Sequence, residues 1–147
     1  MSRVQLALNV ADLGASIEFY TKLFGLPPAK IREGYANFAI SDPPLKLVLF
    51  AGAGEPGSLN HFGVEVDSTD DVMAAAARAR DEHLPTDLQE STTCCYAVQA
   101  KVWVQGPDNA WEYYKVLADA PALVPADGCC STDSVSDGAS APAACCG

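Results

Sequence analysis

The stretches "VQLALNVADL" (residues 4–13) and "NHFGVEVDSTDDV" (residues 60–72) decide how this chain is read. Each alternates apolar and polar side chains, the period of a strand with one buried face, and then runs into a helix start marked by Asp or Ser. The second follows the first by about 56 residues, a weak internal repeat. Gln5 and His61 take equivalent places in it, each five residues before the valine, Val10 or Val66, that closes its strand.

Working outward, each strand is followed by a helix. Asp12 is placed to cap "LGASIEFYTKLFG", in which Leu13, Ile17, Tyr20 and Phe24 form an apolar face and Gly25 provides the stop. The second helix, "STDDVMAAAARARDEH", has Ser68 and Thr69 as caps, acidic residues in its first turn, and His83 near its end as a solvated residue favoured by the helix dipole. Short strands then follow in each half, at about 29–33, 35–40 and 45–50, and at about 86–90, 98–104 and 111–116. Turn residues separate them, Ser41-Asp42-Pro43-Pro44 in one half and Gly106-Pro107-Asp108-Asn109 in the other. The order is βαβββ, twice, an α+β class, with modules of about 3–50 and 59–117.

Composition bounds the function. With 147 residues, 49% hydrophobic and 19% charged, the chain can bury one core of reasonable size and has no membrane-spanning pattern. Its start shows no signal-peptide pattern, so a cytoplasmic location is expected. The net charge of -10 argues against electrostatic binding to nucleic acid or anionic lipid. Residues 118–147 are small, polar and free of aromatic side chains, so a disordered tail is expected after a domain spanning 1–117.

All six cysteines fall in adjacent pairs, Cys94-Cys95, Cys129-Cys130 and Cys145-Cys146. Neighbouring Cα atoms are about 3.8 Å apart, below the usual disulfide span of roughly 4.4–6.8 Å, so Cys94 and Cys95 are expected as two free thiols. Adjacent strand residues point to opposite faces, and the Ser91, Thr92, Thr93 run suggests that this pair sits in a loop where both thiols reach one target. Thiolates select soft, thiophilic ions.

The residues also carry a resemblance. The paired modules with "ASIEFYTKLFG" and "GPDNAWEYYKV" resemble the vicinal oxygen chelate superfamily, the glyoxalase, bleomycin-resistance and extradiol dioxygenase fold. Within it, "SRVQLALNV", "GYANFAI", "PPLKLVL", "NHFGVEV", "TTCCYAVQAKVWV" and "WEYYKV" resemble the bacterial group of carbon-arsenic lyases and cadmium-induced proteins, across roughly residues 2–117. The resemblance implies a cupped mixed sheet made by the two modules. It implies metal ligands at Gln5, His61 and Glu112, with only Lys46 or Leu47 at the fourth position, and a non-haem Fe(II) site with dioxygen as co-substrate. Cys94 and Cys95 would hold a trivalent organoarsenical, with Tyr96, Phe38 and Trp103 as pocket walls and the cysteine loop closing over the metal. The product would be arsenite. The alternative is a cadmium or soft-metal sequestration protein without oxygen chemistry. A monomer or a homodimer is compatible with two modules in one chain, and the tail pairs would either collect a soft ion or stay passive.

Overall fold

A computed structural model describes residues 1–121, in two compact units, one of Met1–Glu65 and a second that begins at Val66. The element order is βαβββ twice, as the repeat implies: β1 (Arg3–Val10), α1 (Leu13–Phe24), β2 (Lys30–Arg32), β3 (Tyr35–Ile40), β4 (Leu45–Ala51), then β5 (Leu59–Glu65), α2 (Thr69–Asp81), β6 (Thr86–Cys94), β7 (Ala97–Gln105) and β8 (Ala110–Asp119). No helix among the described residues is long and apolar enough to cross a membrane.

In the first unit β1 runs parallel to β4 and antiparallel to β5, and β3 lies antiparallel to both β4 and β2. The α1 helix starts where Asp12 Oδ1 accepts the Ala15 N–H at 2.9 Å. It stops at Gly25, whose φ of 69° is the left-handed conformation that glycine adopts without a Cβ penalty. Its expected apolar face, Leu13, Ile17, Tyr20 and Phe24, packs on Phe38, Ile40, Leu47 and Leu49, with Leu6, Leu8 and Val10 of β1.

Strand parity then divides the sheet. Side chains alternate between faces with period two, so if Leu6, Leu8 and Val10 turn to α1, then Gln5, Ala7 and Asn9 turn to the other face. The same alternation puts Phe38 under the helix, fully buried with Tyr20 at a ring separation of 6.2 Å. Phe38 is therefore a core residue and not the pocket wall expected of it: it lies on the opposite side of the sheet from Gln5. Tyr35 and Asn37 of β3 take the face of Gln5, with Asn37 Nδ2 donating to Tyr35 Oη at 2.7 Å.

In the second unit β7 is the middle strand between β6 and β8, antiparallel to each. Ser68 and Asp71 form a reciprocal capping box at the start of α2, which buries Val72, Ala75, Ala76 and Ala79. His83 is exposed, just beyond the helix, at a φ of 57°. The loop expected at Ser91–Thr93 is instead strand. β6 continues to Cys94, and a bulge between Gln89 and Thr92 absorbs the extra residue. Threonine's β-branched side chain favours that outcome over a loop. At the other end β8 continues to Asp119, two residues past the expected domain limit. The tail pairs Cys129-Cys130 and Cys145-Cys146 lie outside the described residues.

Candidate metal and thiol sites

Gln5 and His61 come together within the first unit. Ala7 pairs with His61 across β1 and β5, and Gln5 with Gly63, which makes Gln5 and His61 diagonal neighbours on one face. Their side chains meet at 3.1 Å, Gln5 Nε2 to His61 Nε2, and both residues are buried at 4% and 2% exposure. The other ring nitrogen, His61 Nδ1, lies 2.7 Å from Asn60 Oδ1. Phe50 closes one side of the imidazole at a ring separation of 6.4 Å and Tyr35 lies beyond it, 5.5 Å from Phe50.

Register separates Lys46 from Leu47. Lys46 pairs with Gln5 along β1 and β4 and shares its face, whereas Leu47 is in the core beneath α1. The Lys46 ammonium lies 3.8 Å from Glu65 Oε1, while Arg3 Nε donates to Glu65 Oε2 at 2.6 Å.

In the second unit Glu112 of β8 stands directly opposite Trp103 of β7, and Lys101 opposite Tyr114, all on one face. Lys101 Nζ donates to Glu112 Oε2 at 2.9 Å with both side chains almost fully buried. It also lies 5.3 Å from the centre of the Trp103 ring, so the cation is held by a carboxylate and an aromatic face together. The sequence assigns Lys101 no role. Its signal, a lysine in the apolar run "AVQAKVWV", reads equally well as a solvated residue of a half-buried strand.

The cysteines occupy the tip of the β6–β7 hairpin. Cys94 ends β6 and pairs with Ala97, and the two-residue turn between them is Cys95-Tyr96, with φ values of 54° and 59°. Two consecutive positive φ angles are the geometry of the tight hairpin turn that Asn-Gly usually occupies. The turn solves the problem posed by adjacency: the Cys94 and Cys95 sulfurs approach to 3.3 Å, although successive strand residues would point them apart. Cys94 shares a face with Gln99, Lys101 and Trp103. Gln99 Nε2 donates to the Cys94 carbonyl at 3.1 Å, and this orientation leaves Gln99 Oε1 a buried acceptor without a partner. Tyr96 is half-buried, and its carbonyl accepts the Ala120 N–H at 3.0 Å.

The expectation of two free thiols fails at Cys94, which is disulfide-bonded.

No group of three His, Cys, Asp or Glu side chains gathers among the described residues. A ligand set of imidazole, carboxylate and amide contains only two members of those types. The donor chemistry itself suits a first-row divalent ion. In the first unit His61 offers a ring nitrogen and Gln5 an amide, and in the second Glu112 offers a carboxylate, each a nitrogen or oxygen donor.

Comparison with known proteins agrees with the element order. The sequence profile of the glyoxalase/bleomycin resistance protein/dioxygenase superfamily matches residues 3–113. A trivalent organoarsenical cleaving enzyme of Thermomonospora curvata is 57% identical over 99% of this chain and 100% of its own. The cadmium-induced protein CadI of Mycobacterium tuberculosis is 59% identical over 82% of this chain and 80% of its own. Among solved structures, the Mn(II)-bound glyoxalase of Novosphingobium aromaticivorans aligns with a TM-score of 0.59 at 18% identity, covering 86% of this chain and 44% of that one. An extradiol ring-cleaving dioxygenase from B. fuscum aligns at 0.58 and 21% identity, covering 80% and 33%. At such identities the two structures speak for the fold alone.

Proposed function

The chain belongs to the glyoxalase/bleomycin resistance protein/dioxygenase superfamily, and from that membership we propose that it is an Fe(II)-dependent dioxygenase that cleaves the carbon-arsenic bond of trivalent organoarsenicals. The observation that carries this reading is the pair of sulfurs held 3.3 Å apart by the Cys95-Tyr96 turn. A trivalent arsenical with one carbon substituent has two exchangeable positions, and two adjacent thiolates fill both. The near-full-length likeness to an organoarsenical cleaving enzyme supports the same substrate class.

In this proposal Gln5, His61 and Glu112 hold the iron. Bound there, Fe(II) would supply dioxygen activation, and one O2 with methylarsonous acid balances to arsenous acid and formaldehyde, the carbon being oxidised and the oxygen reduced. The residues of the chain do the rest. Cys94 and Cys95, both as thiols, displace the two hydroxyls of the arsenical as water and fix its orientation. Trp103 and Tyr96 shield the bound arsenical. Lys101 neutralises the buried Glu112 carboxylate and holds it in one position.

A second reading, sequestration of a soft ion without oxygen chemistry, draws on the same sulfur pair and on the likeness to a cadmium-induced protein. One experiment separates the two. Reduced protein is reconstituted anaerobically with Fe(II), given methylarsonous acid and then air, and arsenic speciation is followed in the wild type and in Cys94→Ser, Cys95→Ser and Glu112→Ala. Arsenite that requires oxygen and disappears in all three variants supports the lyase. An arsenical retained through the cysteines with its carbon intact overturns it in favour of sequestration.

A further inference from the structure

His61 and Asn60 are consecutive in β5, yet their side chains hydrogen-bond to one another at 2.7 Å. A regular strand would turn them to opposite faces. The register supplies the explanation: Ala7 pairs with His61 and Leu8 with Leu59, so Asn60 is the extra residue of a β-bulge. Bulges re-aim side chains in this way, often beside active sites.

The Asn60 amide is itself held. Asn60 Nδ2 donates to Asn9 Oδ1 at 3.1 Å, Asn9 Nδ2 to Ser58 Oγ at 2.9 Å, and Ser58 Oγ to the Glu55 carbonyl at 2.6 Å. That last acceptor fixes the direction of the whole chain. A backbone carbonyl only accepts, so the Ser58 hydroxyl proton points to Glu55 and Ser58 Oγ accepts from Asn9. Asn9 Oδ1 must then accept from Asn60, which leaves Asn60 Oδ1 to face His61. Reversing either amide would set two acceptors or two donors against one another. Asn9 is 5% exposed, and its amide is packed against Gly54, where an added Cβ would stand 2.6 Å from Asn9 Nδ2. Gly54 is thus the gap into which this amide fits.

The geometry points to Asn60, Asn9 and Ser58 as a directional relay that forces the Nδ1–H tautomer on His61 and leaves the Nε2 lone pair facing Gln5. Asn60 is a positioning residue, acting through His61. That the freed lone pair serves a metal rests on the function proposed above; the tautomer does not. Partners behind a ligating histidine typically change metal affinity by about 10- to 100-fold.

The test uses the full-length chain labelled with 15N, at a pH where imidazole is neutral, with two-bond proton–nitrogen correlation to identify the protonated ring nitrogen. Only His61 and His83 contribute, and exposed His83 serves as the reference. Wild-type His61 is expected to carry its proton on Nδ1, Asn60→Leu to shift towards the Nε2–H form, and Asn60→Asp, which keeps the acceptor, to restore Nδ1–H. Gly54→Ala, remote from the ring, is expected to shift His61 in the same direction as Asn60→Leu by displacing Asn9. An Nε2–H wild type, or a Nδ1–H form unaltered by Asn60→Leu, overturns the relay, and an unaltered Gly54→Ala removes Asn9 from it. Mn(II) titrated alone into each variant reads the consequence: about a 10- to 100-fold weaker affinity is expected for Asn60→Leu. A shifted tautomer with unchanged Mn(II) affinity overturns the ligand role of His61 and leaves the tautomer argument standing. Absence of lyase turnover with the tautomer as expected counts against the proposed reaction alone.

Discussion

At the scale of single residues, the charges that matter are those buried with a partner. Lys101 and Glu112 are enclosed at 1% and 2% exposure, and the removal of one member strands the other without water. Lys101→Met is expected to destabilise the protein by about 3–5 kcal/mol in urea unfolding, whereas Lys101→Met with Glu112→Leu recovers most of that loss, because two desolvation costs vanish together. Equal losses in the single and double variants would show that the pair is not stabilised through its charges. Thiol chemistry belongs to this scale as well. The proposed reaction would use both Cys94 and Cys95 as thiols, and Cys94 is disulfide-bonded. Retention of one arsenic per chain is therefore expected only after treatment with a thiol reductant, measured by elemental analysis after gel filtration. Equal retention without reductant would remove Cys94 from the binding pair.

At the scale of elements, the β6–β7 hairpin holds non-glycine residues where glycine is favoured. Cys95 and Tyr96 both have positive φ, and such residues cost of order 1–3 kcal/mol each in strain. Tyr96→Gly is expected to raise thermal stability by about 1 kcal/mol while weakening arsenical retention, since the turn loses its aromatic cover. A Tyr96→Gly protein of lower stability would mean that the Tyr96 side chain contributes more packing than its backbone stores in strain. The helix caps behave more simply. Asp12→Ala removes the acceptor for the Ala15 N–H and should cost about 1 kcal/mol. Both caps were visible in the sequence because capping is local: the side chain and the amide it serves lie within one turn.

At the scale of the whole molecule, the position of the C-terminal end of β8 has a consequence for the cysteines. Asp119 pairs with Ala97 and Ala118 with Val98, and Ala120 N–H bonds the Tyr96 carbonyl, so the last residues of β8 support the hairpin tip. Under reducing conditions, a chain ending after Pro121 is expected to keep the melting temperature and arsenical affinity of the reduced full-length chain. One ending after Leu117 removes those partners and should lose both, by circular dichroism and arsenic retention. Identical behaviour of the two truncations would show that the hairpin tip stands without β8.

The sequence by itself determined the element order, both helix caps, the apolar face of α1, and the alternation that sets Gln5 and His61 on strands. Those features depend on period and on neighbours within a few residues, so they are written in the chain. What only the tertiary structure decided is which residues share a face and which meet. Phe38 went to the core because parity puts it under α1. Cys94 and Cys95 became a converging pair because a two-residue turn, and no loop, joins β6 to β7. Asn60 reached His61 because a bulge re-aimed it, and Lys101 found Glu112 across β7 and β8. Register and bulges are settled by the partner strand, whose identity and offset come from residues far away in sequence, and no window along the chain contains both.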